Sequence, residues 1–147
     1  MYLPPTLTNR AVRRQGGAAA ELALMLPVLC FILIVAIDFC RLFYHYNVIT
    51  NCARNGALWA SDPLANSGVN PSQSPYANVE DAALADANNL AAPAPTVTQS
   101  PSGVPAAGTT VSVTVSYQFN LVSSYLGFGS VNLSRSVAMR VQPQIPD

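Results

Sequence analysis

RRQGGAAAELALMLPVLCFILIVAIDFCR, residues 13–41, decides the fold. Between Glu21 and Asp38 lie sixteen residues, 22–37, without a charge. A bilayer core of about 30 Å takes roughly 20 mainly apolar residues in a helix, and 18–37 supplies that length. One carboxylate, Glu21, falls inside the apolar run, where a charge is expensive and asks for a functional explanation. A cleaved secretory signal would carry a shorter apolar region and a small-residue cleavage pattern. Here Asp38-Phe39-Cys40-Arg41 follows instead. A lipoprotein signal needs a small residue before its cysteine, but Leu29 precedes Cys30 and Phe39 precedes Cys40. The stretch reads as a retained single span.

Charge sets the expected orientation. Arg10, Arg13 and Arg14 stand before the span with no acidic residue among them, which places the N-terminus in the cytoplasm. From Ser61 onward two arginines, Arg135 and Arg140, face five carboxylates, a net charge of −3. That balance suits a translocated portion. All seven basic residues of the chain are arginine and charged residues make up only 10%, so no basic face for nucleic acid is expected.

The helix is expected to run on past the span, from Gly17 to Ser61. Phe39, Leu42, Phe43, Tyr46, Ile49, Ala53, Gly56, Ala57 and Ala60 recur at spacings of three and four and mark one face. Their side chains shrink along the chain, and small residues admit a close-packed layer. Phe39, Phe43, Tyr44 and Tyr46 also suit an interfacial aromatic belt, where Asp38 and Arg41 can pair. Pro27 removes a backbone hydrogen bond and predicts a kink, and Asp62-Pro63 predicts the helix end. Cys40 and Cys52 lie roughly 18 Å apart on such a helix, too far to bridge within one molecule. A bridge between molecules stays open.

Residues 63–78 read as loop. Asn78 is a candidate N-cap for a short helix over 79–90, with Glu80 and Asp81 in its first turn. The period then changes to two. Val111, Val113, Val115, Tyr117 and Phe119 alternate with polar residues, and Val131, Leu133, Val137, Met139 and Val141 share one side of a second strand, with Arg135 as the exception. The 121–130 connection carries Tyr125, Leu126 and Phe128, expected to tuck back on the strands. A two-stranded unit is marginal in water, so a third strand is expected near Thr96 to Thr98, or packing on the long helix. The fold class is α+β: a long N-terminal helix carrying a small antiparallel sheet domain with one short helix. The expected divisions are a cytoplasmic leader 1–16, the helix 17–61 and an outer domain 62–147.

The run Arg14-Gln15-Gly16-Gly17-Ala18-Ala19-Ala20-Glu21-Leu22-Ala23-Leu24, followed by Leu26-Pro27, resembles the start of the TadE-like family, pilin-like components of the tight-adherence (Tad, Flp or type IVb) pilus system. The resemblance continues through Asp38-Phe39-Cys40-Arg41 and Asn51-Cys52-Ala53-Arg54-Asn55-Gly56-Ala57, covering about residues 13–60. It implies a prepilin peptidase cut between Gly16 and Gly17, which makes Glu21 the fifth mature residue. The carboxylate would then neutralise the new N-terminal amine of a neighbouring subunit as helices bundle. Pro27, Asp38, Arg41, Ala53, Gly56 and Ala57 fall at the helix interface and kink. Leu22 stands where major Flp pilins usually carry an aromatic, and the outer domain is larger than theirs. Both departures favour a minor pilin or pseudopilin.

Other readings stay open at this level. Glu21 in a first helical turn also suits the helix dipole and can snorkel beside Arg13 or Arg14. An uncleaved bitopic assembly factor and an envelope-anchored binding module both fit the layout. His45 reads as structural rather than metal-binding. No nucleophile–base pair, phosphate loop or metal spacing is present, so neither an enzyme nor a cofactor is expected. The implied partners are the inner membrane, other pilins, the prepilin peptidase and the assembly platform.

Overall fold

The computed structural model describes residues 12–66, 75–127 and 129–143. Helix α1 spans Val12–Ser61, helix α2 Pro63–Asn66 and helix α3 Val79–Leu84. Strand β1 is Thr96–Ser100, β2 Thr110–Asn120 and β3 Ser130–Arg140, with a 3-10 helix Val122–Leu126 between the last two. The architecture is α+β. The chain divides into two compact units, Met1–Ile37 and Asp38–Asp147.

In the first unit α1 begins at Val12, not at Gly17 as expected, so both glycines lie inside the helix. Each interior glycine costs about 0.5–1 kcal/mol against alanine, and the following Ala18, Ala19 and Ala20 are the best helix formers available. Of residues 16–37, all but Ile34 are exposed, and Leu24 retains 77% of its surface. The helix is long and apolar enough to cross a membrane.

In the second unit the sheet is an antiparallel meander of order β1-β2-β3. Thr96 lies opposite Ser116 and Val113 opposite Val137. The third strand therefore falls where the marginality of a hairpin required one. The alternating residues Val111, Val113, Val115, Tyr117 and Phe119 of β2 are all buried. They pack on Ile49, Cys52, Ala53, Ala57 and Ala60 of α1, with Val79 and Ala83 of α3 in the same clusters. Fully burying a Val or Phe side chain is worth about 1.5–3 kcal/mol, so this row supplies much of the unit's stability.

Three local readings are corrected. Phe39 and Phe43 are exposed, while Leu42 of the expected face is half-buried against the core; His45, half-buried, and Cys52, buried, turn inward although the expected face left them out. Helix α2 occupies the start of the expected loop, its Leu64 N–H donating to Asp62 Oδ1 at 2.9 Å. Residues 67–74 of that loop lie outside the described residues. Asn78 does cap α3, accepting from Asp81 N–H at 2.7 Å, but the helix stops at Leu84 rather than Leu90. Two tight turns follow, and Asn88 Nδ2 donates to Ala85 O, the kind of local bond by which Asn competes with a helix. The expectation for the side chains of Tyr125, Leu126 and Phe128 falls outside the described residues.

Candidate functional site

The sequence-marked residues separate into three groups. The first lies in residues 16–27. A Cβ placed on Gly16 or Gly17 would meet nothing within 4 Å, so packing inside the chain does not require glycine at either position. Glu21 is exposed, and Pro27 lies within the continuous helix.

The second group is Asp38 and Arg41. The Asp38 side chain is buried, and its two oxygens accept separate backbone hydrogen bonds: Val122 N–H to Oδ1 at 2.7 Å and Ser123 N–H to Oδ2 at 2.8 Å. These amides open the 3-10 helix Val122–Leu126, whose own preceding residue, Leu121, offers no side-chain cap. The first amides of a helix have no partner within it, so a carboxylate 84 residues away supplies the cap. Arg41 Nη1 stands 3.6 Å from Asp38 Oδ1, and its guanidinium lies over the Phe119 ring at 5.2 Å. Burial alone would raise the Asp38 carboxyl. The hydrogen bonds from Ser123 and Val122, with the Arg41 charge, outweigh that and hold it below the ordinary carboxylate range.

Beside this pair His45 makes ring contacts with Tyr44, Tyr117 and Phe119, at 4.9 Å from the last. Among the described residues its Nδ1 is buried without a hydrogen-bond partner. Burial lowers the pKa of His45, and the nearby Arg41 charge lowers it further. Arg135, the exception on the inner side of β3, lies over the Tyr46 ring at 4.5 Å and donates from Nε to Thr50 Oγ1 at 3.5 Å.

The third group is the small-residue face. Ala53, Gly56 and Ala57 are all buried. A Cβ on Gly56 would stand 3.0 Å from both Ala83 Cβ and Val113 Cγ1, tighter than ordinary contact. Glycine here lets α3 and β2 approach the helix backbone. Cys52 is fully buried in the same layer, where burial, then the Asp86 carboxylate, push its thiol up. Cys40 is exposed, so of these two only Cys40 is accessible for a bridge between molecules without opening the fold.

Sequence reasoning marked Asp38 and Arg41 as a pair, but missed the carboxylate's grip on residues 122 and 123. The one local signal was an Asp at the end of an apolar run, which identifies no partner so distant in sequence. His45 was expected to be structural; the burial of its Nδ1 without a partner among the described residues followed only from the packing of Phe119 and Tyr117.

Residues 16–58 match the sequence model of a protein family described as TadE-like protein. That is the stretch on which the sequence resemblance rests. No curated protein and no solved structure matches the chain.

Proposed function

We propose, starting from the TadE-like character of residues 16–58, that this chain acts as a minor pilin or pseudopilin of a Tad-type, type IVb pilus. The TadE-like segment and the apolar helix fit a membrane protein associated with that system. In this reading residues 18–37 span the bacterial inner membrane once, the leader stays in the cytoplasm and Asp38–Asp147 lies on the outer side. The arginines ahead of the span and the net negative charge beyond it favour that orientation. A prepilin peptidase hydrolyses the Gly16–Gly17 bond, and the helix then exchanges lipid for the helices of neighbouring subunits on the assembly platform. Glu21, fifth from the new end, meets the amine of a neighbour there. A carboxylate in a low-dielectric bundle needs such a cationic partner.

One observation carries the reading. The family match opens at Gly16, and the fold makes no demand for glycine at 16 or 17. In this reading, recognition by the peptidase accounts for their identity.

Mass spectrometry of the protein from cells holding the peptidase tests the cut. A mature N-terminus at Gly17 is expected, and a full-length form at full abundance would overturn processing. Glu21→Ala is expected to abolish assembly while leaving the protein membrane-bound. Unimpaired assembly by that variant, with residues 1–16 retained, would identify an uncleaved bitopic assembly factor instead.

A further inference from the structure

The two edges of the sheet in the second unit are built differently. Strand β1 spans five residues, Thr96–Ser100, and is bounded by Pro95 and Pro101, which have no N–H to donate. Short strands and flanking prolines close an edge. Strand β3 spans eleven residues, Ser130–Arg140, without a proline. Each has one partner on β2, from Thr110 opposite Arg140 to Asn120 opposite Ser130, so no bulge turns the strand away. Among the described residues β3 pairs with no strand on its other side. Every second residue of an antiparallel strand points its N–H and C=O to one side, so about five donors and five acceptors line this open edge. Ser134, Arg135 and Ser136 are all exposed, so both faces of β3 meet solvent at its middle.

The flank of α1 that meets this strand is cationic. Tyr46 and Thr50 hold the Arg135 side chain, the guanidinium 4.5 Å from the ring and Nε 3.5 Å from Oγ1. Phe43 and Arg54 continue the same stripe of α1 at spacings of three and four, and both are exposed. Neither Arg54 nor Arg135 has a carboxylate partner among the described residues, where the ion pair is Asp38–Arg41. The carboxylates Glu80 and Asp81 stand on α3, which lies against β1 at the other edge.

A long edge without bulge or proline is a template for another strand, and an inward-pointing charge keeps unsuitable strands off it. A strand added to β3 would cover Arg135 and lay its inner side chains over the stripe from Phe43 to Arg54. An uncharged strand would bury the guanidinium without a counter-ion, at a cost. A second copy of β3 fails in the same way, because residues 130–140 hold two arginines and no carboxylate. A strand with Asp or Glu beside Arg135 meets the charge and the edge amides together. We infer that the open edge of β3 is a docking site for an extended, carboxylate-bearing segment of a different polypeptide, which joins the sheet as a fourth strand. Arg135 selects that segment by charge. The site is independent of whether the Gly16–Gly17 bond is cut.

The probe is a labelled peptide of about nine residues, within the usual strand length, in which valine alternates with threonine and aspartate takes one valine place. The full chain, held in detergent, is titrated with this peptide and with its lysine counterpart. Saturable binding, read by fluorescence anisotropy, is expected for the aspartate peptide and not for the lysine one. Amide hydrogen exchange should slow within Ser130–Arg140 and stay unchanged in Thr96–Ser100. Arg135→Gln should weaken the aspartate peptide by about tenfold, the loss of one good contact. Arg135→Glu should reverse the preference between the two peptides, and circular dichroism checks that each variant is folded. No saturable binding up to millimolar aspartate peptide overturns the site. Equal binding of the lysine peptide, or an unchanged preference in folded Arg135→Glu, overturns it as well. Protection of β3 that grows with protein concentration in the absence of peptide would assign the edge to a second copy instead, against the inference.

Discussion

Within helix α1, residues 16–37 and residues 38–61 are treated oppositely by the rest of the chain. The first stretch carries large aliphatic side chains, Leu22, Leu24, Leu29, Ile32 and Leu33 among them, all exposed. The second buries small ones, Cys52, Ala53, Gly56, Ala57 and Ala60, under a sheet. Apolar character and burial are therefore decoupled along one helix. In the first stretch the bulky side chains are exposed, and apolar surface of that extent marks an interaction site. In the second, smallness allows close approach, and the bulk comes from the valines, Tyr117 and Phe119 of β2.

Substitutions that break this contrast should have graded effects. The largest falls on the covered side. Phe119→Ala removes a fully buried ring from the layer on α1 and is expected to destabilise the second unit by about 3–5 kcal/mol, read from denaturant unfolding followed by near-ultraviolet circular dichroism. Gly56→Ala comes next. Overpacking against Ala83 and Val113 costs about 1–3 kcal/mol, offset in part by the helix preference of alanine, so a net loss of melting temperature is expected. An unchanged or raised melting temperature would show that the layer can give way at this point.

The junction supplies a local test. In Asp38→Asn the two amides share one carbonyl acceptor, so hydrogen exchange at Val122 and Ser123 should quicken while the core strands keep their protection. Because the folded pKa of Asp38 is depressed, that protection should be complete above about pH 4 and be lost as the pH falls through the folded value. His45 has the same sign at higher pH. Its folded pKa is lowered, so its contribution is complete above about pH 6.5 and declines as acid forces a proton onto a half-buried ring beside Arg41. Replacing it by Phe should flatten the stability profile between about pH 6.5 and 5, and a slope that persisted would assign the acid sensitivity elsewhere. The smallest effect is on the uncovered side. Gly17→Ala meets no neighbour and should stabilise the helix by up to about 1 kcal/mol, visible as a slight gain in helical ellipticity.

The period-two runs were legible because β2 has one buried face and one wet one, which writes an alternation into the sequence. The strand at Thr96 was legible by default, since two strands could not stand alone. The inward face of α1 was legible only at its small end. Between Phe39 and Tyr46 apolar or aromatic residues surround the helix, so spacing alone selected Phe39 and Phe43, which the sheet leaves outside. The short reach of α3 escaped for a related reason: alanines favour a longer helix, while Asn88 turns the chain through a side-chain bond that propensity does not weigh.

What the sequence determined by itself is local and compositional: an uncharged run long enough to cross a bilayer, its single carboxylate, the glycines ahead of it, and strands that must be covered on one side. These follow from properties that belong to each residue wherever it is placed. Only the tertiary structure decided which side chains of α1 the sheet covers, why position 56 has no room for a Cβ, and that Asp38 caps a helix 84 residues downstream. Those outcomes depend on distances between segments far apart in the chain, and a contact of that range leaves no periodicity to read.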